Sequence, residues 1–307
     1  MIYSEWNGFQ LSRLMLGTVQ FGMPYGIANR IGQPKFRDVV SIVEAAVEGG
    51  VTCLDTAAAY GSSEEVLGRV LQELDLRERV IVVTKVRALT PEELASPHLA
   101  ERAIIESVEE SRRRLAMDCI PIVLFHREAD AAFMETLLSL KDRGWLKHCG
   151  VSCDNRPGPA GEFVANGFAA ALQIPANVLD HRHLSSGVFE QALAKDVAIF
   201  VRSAYLQGLL VMPEDQIPEK LSLIIPARRA LQAVAASGGM SLAELALRYM
   251  LSQPGVTSIL TGVETIEQVN ENVAMFAKGP LTEDVLDVIG QTKIDLPEQL
   301  LTPAMWN

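Results

Sequence analysis

The chain has 307 residues, of which 49% are hydrophobic and 21% charged, with a formal net charge of −11; this is globular composition with material for a large core, and it excludes a disordered chain. The acidic balance argues against a nucleic-acid surface, and the one basic run, Arg112, Arg113 and Arg114, lies in a helical pattern that reads as a solvated face. No stretch approaches the roughly 18 consecutive apolar residues of a membrane helix, the opening MIYSEWNGFQ lacks a leader pattern, and Cys53, Cys119, Cys149 and Cys153 fit no zinc or redox spacing, so a reducing, cytoplasmic location with no membrane partner is expected.

In chain order, short apolar and often β-branched runs at 14–17, 52–55, 80–85, 120–126, 148–152, 170–174, 198–203 and 258–262 are expected as strands covered on both faces. Helical periodicity falls between them. Residues 36–48 put Val39, Val40, Val43 and Val47 on one face; 100–115 follow Pro97; 133–141 follow an acidic start; 227–236 and 242–251 come later. Ser241 reads as an N-cap, with Glu244 completing a capping box. Eight strands alternating with helices in this length predict an α/β fold, a (β/α)8 TIM barrel forming a single domain over 1–307, with the active site at the C-terminal mouth of the barrel. A doubly wound sheet is the runner-up, but no G-x-G-x-x-G follows the first strand. The proline-bearing segment 212–226 and the Pro/Gly segment 156–161 are expected as loops on that mouth.

Four polar residues stand at or just beyond strand ends. Asp55 ends TCLDT, Tyr60 follows in AAAYGSSEE, Lys85 ends VIVVTK and His126 ends IVLFH. Singly, each has an ordinary explanation: a turn former, a packing ring, a snorkelling lysine, a structural histidine. Successive strand ends of a barrel converge on one mouth, however, and a charge capping an apolar strand is costly unless paired, which Asp55 and Lys85 can do for each other.

These residues carry a resemblance. LDTAAAYGSSEEVLG at 54–68 resembles the aldo-keto reductase signature, and VIVVTKV and IVLFHRE resemble that family's Lys and His segments. GVS at 150–152, LQIPAN at 172–177 and LTGVETIEQVNEN near the end resemble its nicotinamide-binding and adenosine-binding segments, in the right order over nearly the whole chain. The resemblance implies an NAD(P)-dependent oxidoreductase that moves hydride between a nicotinamide cofactor, NADP(H) or NAD(H), and an aldehyde or ketone or the corresponding alcohol, without a metal. Tyr60 is then the general acid; Lys85 lowers its pKa from the ordinary value near ~10, Asp55 holds Lys85, and His126 orients the carbonyl.

Cofactor contacts are expected from Gly17, Thr18 and Asp55, with Ser152 and Gln173 on the nicotinamide carboxamide; Cys153 stands where the family commonly has Asn. Arg202 occupies the position of the family's stacking aromatic, with Tyr205 as the alternative stacking group, and Ser203, Tyr205 and Gln207 approach the pyrophosphate. Gly262, Glu264, Gln268 and Asn272 line the adenosine end. No Lys or Arg occurs from Gly262 to Asn272, and Glu264 opposes a 2′-phosphate, which favours NADH against the family's usual NADPH. Met23, Tyr25, Arg127 and His181 are expected at the substrate rim, Tyr25 and Arg127 as substrate contacts. Two other readings stand beside the enzyme: a non-catalytic nicotinamide-nucleotide-binding regulatory subunit on the same barrel, which does not need all four polar residues, and a lyase using Lys85 as a Schiff-base nucleophile.

Overall fold

The computed structural model describes residues 1–29, 31–292 and 295–306. An N-terminal hairpin, β1 (Tyr3–Trp6) and β2 (Phe9–Ser12), precedes eight parallel strands that close into a barrel in the order β10-β3-β4-β5-β6-β7-β8-β9. These are β3 (Leu14–Gly17), β4 (Cys53–Asp55), β5 (Ile81–Val86), β6 (Ile120–Phe125), β7 (Leu146–Ser152), β8 (Ala171–Pro175), β9 (Ala198–Arg202) and β10 (Val256–Gly262). All eight expected strands are present, each within two residues of its expected bounds. Their near-continuous apolar character follows from burial on both faces, inward against the barrel core and outward against the surrounding helices.

The hairpin lies outside the strands expected from the apolar runs. Asn7 and Gly8 both have positive φ, 47° and 79°, as a two-residue turn matching strand twist requires. The Asn-Gly pair between two short runs was the available signal. The hairpin plugs the N-terminal end of the barrel: Trp6 and Leu11 pack on inward-facing Met15, Cys53, Val83, Ile122 and Phe200, and the Trp6 indole donates to the Asp196 carbonyl just before β9. With that end closed, the interior opens at the C-terminal mouth.

The helices Phe36–Glu48 and Leu242–Leu251 have the expected bounds, while Ser63–Glu73 was not singled out as a helix. Ser241 Oγ accepts from the Glu244 amide, as expected of an N-cap, but the capping box is not completed. The Glu244 carboxylate instead binds Arg248 and Lys278, at 2.8 and 2.7 Å, because two cations offer more than one backbone amide. Segment 212–226 carries the short 3-10 turns Glu214–Gln216 and Glu219–Ile224, with Pro226 in the first turn of Ile225–Ser237. Among the described residues no single helix is long and apolar enough to cross a membrane.

Candidate active site

Side chains alternate along a strand, so one inward residue predicts the next two positions on. Cys53, Val83, Leu124, Ala171 and Phe200 face the barrel interior. Two residues further along the same strands stand Asp55, Lys85, His126, Gln173 and Arg202. The top layer of the barrel core is therefore polar, and it is made by continuing the register of the apolar layer beneath it.

At its centre Asp55 and Lys85, 2% and 0% exposed, form a buried ion pair. The ammonium donates to both carboxylate oxygens at 2.7 and 2.8 Å and to the Thr56 carbonyl at 2.9 Å. Gln173 Nε2 donates to the same carboxylate at 2.7 Å. Lys85 Nζ lies 4.9 Å from the centroid of the Tyr60 ring, and the Tyr60 and His126 rings meet edge-on at 5.6 Å. All four of the strand-end residues thus come together.

The Tyr60 loop is held by close packing. Ser63 Oγ donates to the Thr18 carbonyl at 2.7 Å and accepts from Thr56 Oγ1, and Thr18 Oγ1 donates to the Asp55 carbonyl. Gly61, at φ +57°, lies against Gly22; a Cβ on Gly22 would come within 1.9 Å of the Tyr60 carbonyl, so only glycine fits there.

Burial opposes the charge on Lys85, but Asp55 and Tyr60 more than offset it and the amine titrates above its ordinary value. For Tyr60 the balance corrects the expectation of a lowered pKa. Burial raises it more than the Lys85 charge lowers it, so the phenol titrates above its ordinary value. His126 is pushed down to about 3, first by burial and then by Lys85, Arg202 and Arg127, and is a neutral imidazole.

A cleft of about 360 Å³ runs from Asp55 and Tyr60 to the start of the helix Ile266–Ala277. Its lining contains Gly17, Thr18, Gln173, Arg202, Ser203, Tyr205, Gln207, Gly262, Glu264, Gln268 and Asn272, as expected, together with Tyr25. Tyr205 is not free to swing: its hydroxyl donates to Asn272 Oδ1 at 3.3 Å, which in turn is fixed on Thr261. Ser203, Leu206 and Gln207 all hold positive φ, between 49° and 63°. Such left-handed non-glycine residues are strained, and they cluster where a backbone is shaped for a ligand.

Four expected residues lie elsewhere. Ser152 is buried at the end of β7, in register with Gln173, but does not line the cleft. Arg127 is turned away from it by an ion pair with buried Asp130 at 3.1 Å and a bond to the Leu89 carbonyl, which overrides its proximity in sequence to His126. His181 stacks on Tyr249 and lines a separate cavity with Arg182 and Leu301; Met23 is exposed and outside the cleft. Sequence reasoning missed Gln20 and Glu271. Gln20 is buried, donates to Glu264 Oε1 at 3.3 Å, and leaves its own Oε1 without a partner. Its one-turn helix, Val19–Gly22, is too short to carry a periodic signal; the Cβ-free Gly262 it packs against is the one hint.

The model of the aldo/keto reductase family matches residues 13–293 of the chain. The uncharacterized oxidoreductase YqkF of Bacillus subtilis (strain 168) is 27% identical over 278 residues, 84% of this chain and 88% of that protein. The NADH-specific methylglyoxal reductase of Escherichia coli (strain K12) is 27% identical over 300 residues, 86% of this chain and 89% of that protein. Among solved structures, the holo form of the aldo-keto reductase AKR11C1 from Bacillus halodurans superimposes with a TM-score of 0.78 over 98% of this chain and 99% of that one, at 23% identity.

Proposed function

The chain belongs to the aldo/keto reductase family, and on that premise we propose that it reduces a small aldehyde or ketone, or oxidises the corresponding alcohol, with Tyr60 as the proton-transfer residue and NADH as the preferred cofactor. The observation that carries this reading is the buried Lys85–Asp55 pair beside Tyr60 and His126 at the deep end of the cleft. Binding a nucleotide alone does not require such a pair. A Schiff-base lyase needs a neutral amine, whereas Lys85 is ion-paired and held charged.

The cleft suits a dinucleotide by its chemistry. Amides and hydroxyls of Thr18, Gln173, Ser203 and Asn272 line its length, and the unpartnered Gln20 Oε1 is a buried acceptor with no donor of its own in the protein. When bound, the nicotinamide supplies hydride to the carbonyl carbon, or takes it back. Tyr60 gives its phenolic proton to the carbonyl oxygen as the C–H bond forms, so C=O becomes CH–OH and the cofactor is oxidised. Lys85 stabilises the phenolate left behind. Neutral His126 donates a ring N–H to the same oxygen and fixes its direction.

The preference for NADH rests on charge. Glu264 and Glu271 line the adenosine end, and among the described residues no Lys or Arg lines it. A dianionic 2′-phosphate there meets two carboxylates, whereas a ribose hydroxyl can donate to either or to Gln20 Oε1. The test is a fluorescence titration with NADH and NADPH, followed by an aldehyde panel. Binding near one cofactor per chain with turnover of an aldehyde is expected; failure to bind either cofactor sinks the reading.

A further inference from the structure

Arg202 continues the inward register of Phe200 and lines the cleft beside Tyr60 and Gln173. Its charge acts directly on Tyr60 and on His126. Among the described residues, three other cations on this side of the barrel are neutralised: Lys85 by Asp55, Arg127 by Asp130, Arg182 by Asp180. Arg202 is not. Among the described residues it forms no ion pair, and its guanidinium donates to neutral acceptors, the Cys153 carbonyl at 2.9 Å and Ser203 Oγ at 3.4 Å. A guanidinium has five N–H donors, so most of its capacity is unspent.

One carboxylate is near. Glu128 feels the Arg202 charge, but the two form no ion pair, and Glu128 Oε1 accepts instead from the Asp154 amide at 3.0 Å. The direction of the arginine matters equally. Nη2 reaches across β8 to the Cys153 carbonyl just beyond β7, away from Tyr205 and Gln207 where the pyrophosphate is expected. A half-buried guanidinium that lines the cleft with donors to spare and no ion-pair partner is a ready anchor for an anion.

We propose that Arg202 anchors an oxyanion on the substrate, so that the carbonyl compound this protein reduces carries a carboxylate or a phosphate. The proposal rests on the hydride-transfer reading above and names its substrate class. The atoms exchanged are unchanged: hydride to the carbonyl carbon, the Tyr60 proton to its oxygen, the anionic group untouched.

The experiment compares kcat/KM within two matched pairs: butanal with 4-oxobutanoate, and glyceraldehyde with glyceraldehyde 3-phosphate. Wild type, Arg202→Gln and Arg202→Lys are measured with NADH. Wild type is expected to favour the anionic member of at least one pair by about tenfold or more, mainly through KM, as one charge-assisted hydrogen bond supplies. Arg202→Gln erases that ratio and Arg202→Lys recovers part of it. The pair that responds distinguishes carboxylate from phosphate. Using a ratio removes any shared effect of the substitution on cofactor binding. Equal or better use of both neutral members, or a ratio that Arg202→Gln leaves unchanged, overturns the proposal; a raised NADH Kd with an unchanged ratio assigns Arg202 to the cofactor instead. Calorimetric binding of 4-hydroxybutanoate and glycerol 3-phosphate, against 1-butanol, reads the anchor without turnover. Anion binding lost in Arg202→Gln, with no carbonyl reduced, sinks the hydride-transfer reading and keeps the anchor; no binding of either anion sinks the anchor.

Discussion

The two ends of the cleft are built on different principles. At the deep end, Asp55, Lys85, His126, Gln173 and Arg202 come from strands whose register is locked by the barrel ladder, and the central pair is almost fully buried. At the end proposed for adenosine, Gln20 comes from a one-turn helix, Glu264 from a loop, and Gln268 and Glu271 from the helix Ile266–Ala277; Gln20 and Gln268 bond to Glu264 through its carboxylate and its amide, and the set is largely half-buried or exposed. On the proposed reading, chemistry sits where the scaffold is rigid and cofactor choice where single substitutions are cheap.

The largest effect separating the ends is expected from Tyr60→Phe. The ring keeps its packing against His126 and loses only its proton, so turnover falls by about 10²–10⁴-fold, while the NADH Kd, read by fluorescence quenching, stays within about twofold. Retention of wild-type turnover would move the acid to another group. The next effect is on stability. Asp55→Ala strands the buried Lys85 ammonium, and breaking one side of a buried pair costs about 3–5 kcal/mol. The double variant Asp55→Leu/Lys85→Met removes both charges and is expected to recover most of that loss in urea denaturation. If Asp55→Ala melts within about 1 kcal/mol of wild type, water reaches the pair and the deep end is not the dry site described.

The same contrast decides what was legible beforehand. Strand runs, their order and Asp55, Lys85 and His126 could be read because period-two register carries an apolar layer directly into a polar one, and Tyr60 because its loop carries the LDTAAAYGSSEEVLG motif. Arg202 was legible as a position but not as an unpaired charge, since ion pairing depends on which loops lie opposite. Arg127 differs for a local reason: Asp130, only three residues on, takes it. Gln20 and Glu271 reach the cleft only after the chain has closed between β10 and β3, a contact that no local pattern encodes. The hairpin plug was overlooked although Asn7-Gly8 announces its turn.

At the adenosine end, Glu264→Arg replaces repulsion of a 2′-phosphate by a charge-assisted contact, a change of about 1.5–3 kcal/mol. The NADPH/NADH affinity ratio is expected to rise at least about tenfold at low salt, by about 1.4 kcal/mol per decade, and to shrink as salt is added. Glu264 is only half-buried and tethered by Gln20, so the deep end should not notice: kcat with saturating NADH stays near wild type. An unchanged ratio would mean that the ribose does not face this carboxylate.

The smallest effect is an absence, and it tests the deep end most narrowly. An unperturbed histidine titrates near pH ~6.5, and an exposed one in this position would put an acid limb on the rate profile. His126 is held down to about 3 by burial and by its cationic neighbours Lys85, Arg202 and Arg127, so it stays neutral well below that. Tyr60 and Lys85 are both raised above their ordinary values, so neither loses its proton until strongly alkaline conditions. kcat/KM for reduction is therefore expected to be flat from about pH 5 to about pH 9 and to fall only beyond it, as the phenolic proton is lost. Stability behaves differently. In the unfolded chain His126 takes a proton near ~6.5, so below that value the unfolded state binds more protons than the native one. Stability then decreases as the pH falls from there toward about 3, where the native imidazole also protonates. Urea midpoints at pH 7 and pH 4 measure the second effect, and a rate profile on a pH-stable aldehyde measures the first. An inflection in kcat/KM near pH ~6.5 that disappears in His126→Asn would show that His126 titrates in the free enzyme, and the neutral hydrogen-bond donor assigned to it would have to be replaced by an imidazolium.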